Sequence, residues 1–341
     1  MPALGYTYDD HLPADFSAQS LRNDVLTGLT APRKWLPPQW FYDKVGSELF
    51  EDITALQEYY PTRTERTILA DSATGIVRAG QSRTLIELGS GSSEKTRLLL
   101  DAMIAQPAEP AEPHADHPVD PRGKVASYVA LDVSEDALRS ACAGLVSSYP
   151  RLRVGALRAD FTHHLELLPK GERRMVAFLG STIGNFEPAE RAAFLRALRG
   201  ELGDHDQFLL GADLVKSPDV LIPAYDDTGG VTAAFNLNVL DVLNHSLRAD
   251  FDRSTFEHVV VWDAENEWIE MRLRATQDMV VHLSDLALDV HFDRGEEVRT
   301  EISAKFRRDR LVPELETAGF VARGWWTDPR EWFSLSLWGT A

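Results

Sequence analysis

The stretch LIELGSGSSEKT, residues 85–96, runs from a short apolar segment through two glycines into an amphipathic run. A strand, a glycine turn and a helix in that order form the ligand-binding unit of a wound α/β sheet. Gly89 and Gly91 allow a tight turn and a close approach of backbone to ligand. The stretch lies one residue from a phosphate loop, G-x-x-x-x-G-K-[ST], with Glu94 where the pattern needs glycine. The dinucleotide fingerprint G-x-G-x-x-G fails at the same position. A carboxylate 4 Å from a phosphate charge is repelled by about 1 kcal/mol in water, and several-fold more in a partly buried site. Glu94 therefore argues against a triphosphate and leaves open a nucleoside without phosphate.

Outward from this loop the chain alternates. VASYVAL (125–131), LRVGALRA (152–159), RRMVAFLG (173–180) and DQFLLGAD (206–213) read as strands. SEDALRSACAGLVSSY (134–149) and PAERAAFLRALRGEL (188–202) read as helices between them. Such alternation predicts a parallel, doubly wound sheet. Residues 17–80 read as helical, broken at Pro37-Pro38 and Pro61. Beyond Lys216 a helical region (218–249) precedes five closely spaced strands, FEHVVVWD, EWIEMRLRAT, MVVHL, LALDVHF and EVRTEISAKF, which are expected to be antiparallel. RRDRLVPELETAG (307–319) reads as a helix, and FVARGWWT with WFSLSLWG as a closing hairpin. The expected fold is α/β, a Rossmann-like sheet (1–215 plus 305–341, with N-terminal helices) carrying an inserted α+β domain (216–304). The segment 107–124, rich in Pro, Ala and acid, reads as a flexible loop insertion.

The formal charge of -18 is spread along the chain and repels nucleic-acid backbones. Cys142 is the single cysteine, so no internal disulfide or cysteine metal cluster is expected. The first residues lack the basic and apolar regions of a secretory signal, and no apolar run reaches membrane-spanning length. A cytoplasmic monomer acting on small molecules, without membrane or metal, is the expectation.

Three acids stand at successive strand ends. Glu87 lies two residues before Gly89, Asp132 ends the second strand, and Asp160 with Phe161 ends the third. Asp132 lies where a carboxylate accepts both ribose hydroxyls, with segment 107–124 accounting for its distance from Gly91. Asp160 can accept from an exocyclic amine, and Phe161 can cover an adenine face. Equally, Asp132 could cap the following helix and Asp160 could be a turn residue. Acids around a glycine loop suit a cationic, phosphate-free cofactor, S-adenosylmethionine.

Beyond these features, LPPQWFYDKVGSELFEDIT, EYYPTRTE, ELGSGSSEKTRLLLDAM, FLGSTIGNF, AYDDTGGVTAAFNLNVL and EVRTEISAKFR resemble the ergothioneine-pathway histidine Nα-methyltransferases of actinobacteria, nearly end to end. That resemblance implies a class I methyltransferase fold and trimethylation of the L-histidine α-amine to hercynine. It implies cofactor contacts at Gly89, Lys95, Asp132, Asp160 and Phe161. Lys95 would meet the methionyl carboxylate, although alone it reads as a solvated lysine. Tyr59, Asn185 and Tyr225 would hold the amino-acid backbone of histidine, and Gly180 would border the amine. Glu301, Ile302 and Ser303 would sit at the imidazole, with Met271 as an apolar wall. Tyr42, with Asn185, would stand near the reacting nitrogen. Without the resemblance, Asn185 reads as a turn residue, and Tyr59, Tyr225 and Met271 as packing.

Glu301 and Ser303, two apart on a strand, share a face with Arg299 and Lys305, while Val298, Ile302, Ala304 and Phe306 point away. Periodicity alone makes that face a solvent face. The functional reading needs a domain lying over it. A neutral imidazole offers one donor and one acceptor, which a glutamate and a hydroxyl can match. Tyr42 or Tyr59 is a candidate to relay the proton of the amine, and Phe235 a candidate aromatic lining for the growing cationic head, with core packing as the plainer reading. A same-fold methyltransferase for another amine and a non-catalytic nucleotide binder remain the alternatives.

Overall fold

Apolar runs bounded by turns become strands here because helices cover them on both faces. The structure, a computed structural model, describes residues 5–105, 126–171 and 173–340. The expected loop at 107–124 lies outside them. The first half contains strands β1 (Thr7–Asp10), β2 (Thr84–Leu88), β3 (Ser127–Asp132), β4 (Arg153–Arg158), β5 (Arg174–Phe178) and β6 (Gln207–Asp213). Helices α1 (Phe16–Leu29), α2 (Lys44–Ala55) and α3 (Pro61–Gly80) precede β2, and α4 (Thr96–Ala105), α5 (Glu135–Ser148) and α6 (Pro188–Glu201) fall between strands. After β6 come α7 (Pro218–Leu221) and α8 (Val231–Leu247), then β7 (Phe256–Asp263), β8 (Trp268–Ala275), β9 (Met279–Leu283), β10 (Leu288–Phe292) and β11 (Glu297–Ala304). Helix α9 (Arg308–Thr317) and the hairpin β12 (Phe320–Thr327) and β13 (Phe333–Thr340) complete the chain.

The large sheet has the order β1-β4-β3-β2-β5-β6-β13-β12. Strands β1 to β6 pair in parallel, and β13 runs antiparallel to β6, so the chain returns to close the sheet. The order reverses at β2, which puts the switch point beside the glycine turn, the usual ligand crevice of such sheets. One face buries Ile86, Val176 and Leu210 against Leu195 of α6 and Leu311 of α9. The other buries Leu85, Tyr128 and Leu209 against Ile76, Leu99 and Leu138 of α3, α4 and α5. Strand β1 was not readable in the sequence. It adds an edge to β4 by backbone pairing.

The five later strands are antiparallel, in two small sheets, β11-β8-β7 and β10-β9. The expected long helix is broken: α7 and a 3-10 turn (Ile222–Ala224) precede α8. Of the N-terminal helices, α3 packs on the large sheet, while α1 and α2 pack elsewhere. Val25 of α1 and Ile53 of α2 close a separate core with Val239 and Leu243 of α8 and Leu273 of β8. Asp43 fixes this junction, because its carboxylate caps α2 at Gly46 N (2.7 Å) and accepts from Asn238 Nδ2 (2.8 Å). The small sheet joins the large one where Phe306 N donates to Asp213 O (2.8 Å) and Val215 N to Phe306 O (3.0 Å). Among the described residues no helix is long and apolar enough to cross a membrane.

Candidate active site

The glycine turn hangs from the tip of β3. Gly89 N and Ser90 N both donate to Leu131 O, at 2.9 and 3.2 Å. Gly89 and Gly91 have φ of 65° and 48°, values that side chains with a Cβ resist. Asp132 braces this turn from outside, accepting from Gly91 N (3.1 Å) and Ser134 N (3.0 Å). Ser134, not Asp132, caps α5. Burial raises the Asp132 carboxyl against these donors. From the next strand, the Phe161 edge lies 3.5 Å from where a Gly89 Cβ would sit, so the ring borders the turn. Asp160 is a turn residue as well as a rim acid, for Oδ1 accepts from Thr162 N at 2.8 Å. Burial acts to raise its pKa, but the Thr162 and His163 bonds hold it below the ordinary carboxylate value.

Two acids do not stand where the sequence argument needs them. The Glu94 side chain is 60% exposed and pairs with Arg97, so it does not face into the turn. Glu87 lies beneath the turn, accepting from Thr96 Oγ1 and Tyr128 OH, both at 2.5 Å. Burial pushes its carboxyl up to about 7. Glu94 is expected to repel a phosphate, and Glu87 to be one of the rim acids that suit a cation. Instead one is solvated, and the other props Tyr128, whose hydroxyl meets Ser93 Oγ at 2.7 Å.

Lys95 is no solvated lysine. Its ammonium pairs with Glu65 of α3, a fully buried carboxylate, and Glu65 also accepts from Gly180 N (2.9 and 3.1 Å) at the end of β5. One acid therefore ties the glycine turn to the tip of the neighbouring strand. Beyond Gly180, a 3-10 turn (Thr182–Asn185) carries Asn185 toward β11. A Cβ on Gly184 would sit 2.8 Å from Ala304 O, so only glycine allows that approach.

A second group of side chains faces this rim. Tyr225 OH and Ser303 Oγ are 2.8 Å apart, and Met271 stands opposite Glu301 across the β11–β8 pair. Tyr59 meets the Tyr225 ring edge-on at 6.4 Å. Tyr42 packs against Phe50 (5.4 Å) and Phe235 (5.5 Å), and Phe235 is itself core, stacked on Phe41. Tyr42 is 44% exposed. Burial, then Glu301, Tyr59, Tyr225 and Asp132, push its phenol well above 10. Through Phe50, which meets the Tyr59 ring at 6.3 Å, Tyr42 joins the aromatic group around Tyr225. Burial raises the Tyr59 and Tyr225 phenols likewise. It also lifts Glu301 to about 7, with Lys305 opposing.

The expected solvent face of β11 is covered. Ser303 and Lys305 are 5% and 4% exposed. A bulge at Thr300 also breaks the alternation between Arg299 and Glu301. Thr300 turns inward to Asn236 Oδ1 (2.7 Å), and Arg299 reaches outward to Glu187. Ile302 points the other way, into the core with Ala304 and Phe306, so its side chain is removed from the pocket. The sequence reading missed Glu65, Asp213 and Lys305. Asp213 had a signal, a charge closing the apolar run of β6, whereas Glu65 among Arg63, Thr64, Arg66 and Thr67 and Lys305 after the mixed β11 had none.

A wound sheet with a braced glycine turn, facing an inserted sheet across an aromatic recess, defines a Rossmann-like α/β methyltransferase. The chain belongs to the family of S-adenosylmethionine-dependent, histidine-specific methyltransferases, whose model matches residues 21–340. It is 50% identical over 328 residues to a histidine N-alpha-methyltransferase of Mycolicibacterium smegmatis, covering 96% of this chain and 97% of the relative. A histidine N-alpha-methyltransferase of Mycobacterium tuberculosis is 47% identical with the same coverage. An ergothioneine biosynthesis protein 1 of Neurospora crassa is 31% identical over 88% of this chain and 32% of its own length.

Proposed function

We propose that this protein transfers three methyl groups from S-adenosylmethionine to the α-amine of L-histidine, giving hercynine, the first step of ergothioneine biosynthesis. The observation that carries the reading is the pairing of two sites. Glu301, Ser303, Tyr225 and Met271 group on one side, Lys95, Gly180 and Asp132 border the glycine turn, and Tyr42 belongs to the aromatic cluster of Phe50, Phe235 and Tyr59 beside Tyr225.

The residues present fit the cofactor. Ser90 Oγ in the turn is buried with no hydrogen-bond partner among the described residues, and Asp132 retains accepting capacity beyond its two backbone donors. In this reading Asp132 accepts the ribose hydroxyls, Asp160 and Phe161 hold the adenine, and Lys95 holds the methionyl carboxylate. When bound, the cofactor supplies an electrophilic methyl group on a sulfonium. The protein's part is positioning and exclusion of water. Tyr59, Asn185 and Tyr225 hold the backbone of histidine, and the Gly180 backbone borders its amine. Glu301 accepts from a ring N–H, Ser303 donates to the other nitrogen, and Met271 walls the ring. The phenols of Tyr42 and Tyr59 stay protonated at neutral pH, so they pass a proton by accepting one while donating another and do not act as phenolate bases. Phe50, Tyr42 and Phe235 present aromatic faces to a growing cation. The reading invokes no metal, and one chain supplies every residue it names.

The test is direct. The protein, histidine and S-adenosylmethionine are incubated and products followed by mass. Stepwise gain of three methyl groups on histidine is expected. Histidine left unmodified while another amine in a panel gains methyl groups would overturn the substrate assignment.

A further inference from the structure

Behind the recess lies a charge cluster that the proposed reaction does not use. Asp213, at the tip of β6, is 1% exposed and lies between two ammonium groups. Lys216 reaches its Oδ1 at 2.5 Å, Lys305 its Oδ2 at 2.9 Å, and Tyr60 OH donates to Oδ2 at 2.7 Å. Lys216 is fully occupied, donating also to Tyr60 OH (2.8 Å) and Leu214 O. Lys305, its side chain wholly buried, points its other two protons at Tyr225 OH (2.7 Å) and Ser303 Oγ (2.8 Å).

We propose that Lys305 is a positioning residue: pinned by Asp213, its ammonium lets Tyr225 and Ser303 both donate to the amino-acid substrate at once. The role follows from counting protons. An ammonium has three donors and no acceptor, and each hydroxyl has one proton. Tyr225 OH and Ser303 Oγ are 2.8 Å apart, and only one proton fits between them. If Tyr225 donates to Ser303, the Ser303 proton faces the recess; if Ser303 donates, the Tyr225 proton does. The pair alone therefore offers a ligand one proton. Turning both outward leaves two oxygens facing each other with no proton between. An ammonium bonded to both oxygens supplies the missing positive charge. The carboxylate of a substrate can then take one proton and a ring nitrogen the other.

This role rests on the reading that Tyr225 and Ser303 contact histidine. It is tested by calorimetric titration of histidine into the full chain saturated with S-adenosylhomocysteine. In the wild-type background, Tyr225→Phe and Ser303→Ala are each expected to weaken histidine binding about tenfold, and their losses to multiply in the double variant. In a Lys305→Met background the second of the two substitutions costs less than about twofold, because only one proton was on offer. Lys305→Met alone raises the KM for histidine about tenfold or more, with kcat and the KM for the cofactor little changed. A second substitution that costs little in the wild-type background overturns the role, as does a Lys305→Met variant with unaltered histidine affinity. The wild-type cycle stands even if Lys305→Met does not fold. Wild-type protein that fails to bind histidine overturns the functional reading itself, which separates the two failures.

Discussion

Glu301 holds a proton more tightly than an ordinary glutamate, and that fixes the pH at which it can accept from an imidazole. Burial lifts it to about 7, Lys305 opposing. Its other neighbours, Tyr42, Tyr59 and Tyr225, stay protonated throughout, and Lys216, which burial pulls down to about 8, is charged below that. A raised carboxyl is neutral below its pKa, and free imidazole gains its own proton near 6.5. At pH 6 most of Glu301 and most of the free imidazole are protonated, so together they carry up to two protons more than a carboxylate paired with a neutral ring. Histidine affinity is therefore expected to rise between pH 6 and 7.5. Glu301→Gln should weaken binding at pH 7.5 by about tenfold and flatten the rise to what histidine's own titration supplies. Calorimetry across that range decides it, and parallel profiles for both proteins would remove Glu301 from the ring contact. The adjacency of Glu301 and Ser303 was legible from strand alternation. Their burial was not, nor was the Thr300 bulge, which depends on Asn236, 64 positions away.

Helix α3 does more than cover the sheet. Its Glu65 is wholly buried and holds both Lys95 and Gly180 N. The fit is close: a Cβ on Gly211 of β6 would sit 2.2 Å from Glu65 Oε1. Two substitutions on different elements should then converge. Glu65→Gln removes the charge, and Gly211→Ala displaces the carboxyl. Each is expected to weaken S-adenosylhomocysteine binding by about tenfold, the scale of one charge-assisted hydrogen bond. Unchanged affinity in both variants would show that Lys95 needs no such support. The wound strands were legible because each is an apolar run closed by a turn. Strand β1 was not, because in TYDD only Tyr8 is even partly buried, and what holds it is long-range: pairing to β4, the Asp10–Arg158 ion pair and Arg139 over the Tyr8 ring. The helices before β2 were legible as helices, but not the core they join, because an apolar stripe does not say which surface it will meet.

At the scale of the molecule, the recess is built from chain positions 42 to 305, and no single element contains it. The proposed cofactor contacts Asp132, Asp160 and Phe161 could be read from local order, while Lys95 could not. The proposed substrate contacts are readable only through likeness to relatives, because Tyr59, Tyr225 and Met271 lie far apart in sequence and look like packing residues. Closure depends on Phe306 bonding Asp213 and Val215, which seats β11 against the tip of β6. In the proposed reading Tyr42 stands near the reacting nitrogen, where the two ligands meet, and it packs in one aromatic group with Phe50, Phe235 and Tyr59. Two ligands sharing one wall order the same side chains, and the second to bind then loses less freedom. S-adenosylhomocysteine is therefore expected to tighten histidine binding by about fivefold or more, and histidine to tighten S-adenosylhomocysteine by the same factor, as linkage requires. Titrating each ligand with and without the other measures both factors. Tyr42→Ala should bring both close to one while leaving the single-ligand affinities nearer their original values. If each ligand binds equally well with and without its companion, the two halves of the recess are separate sites and Tyr42 does not join them.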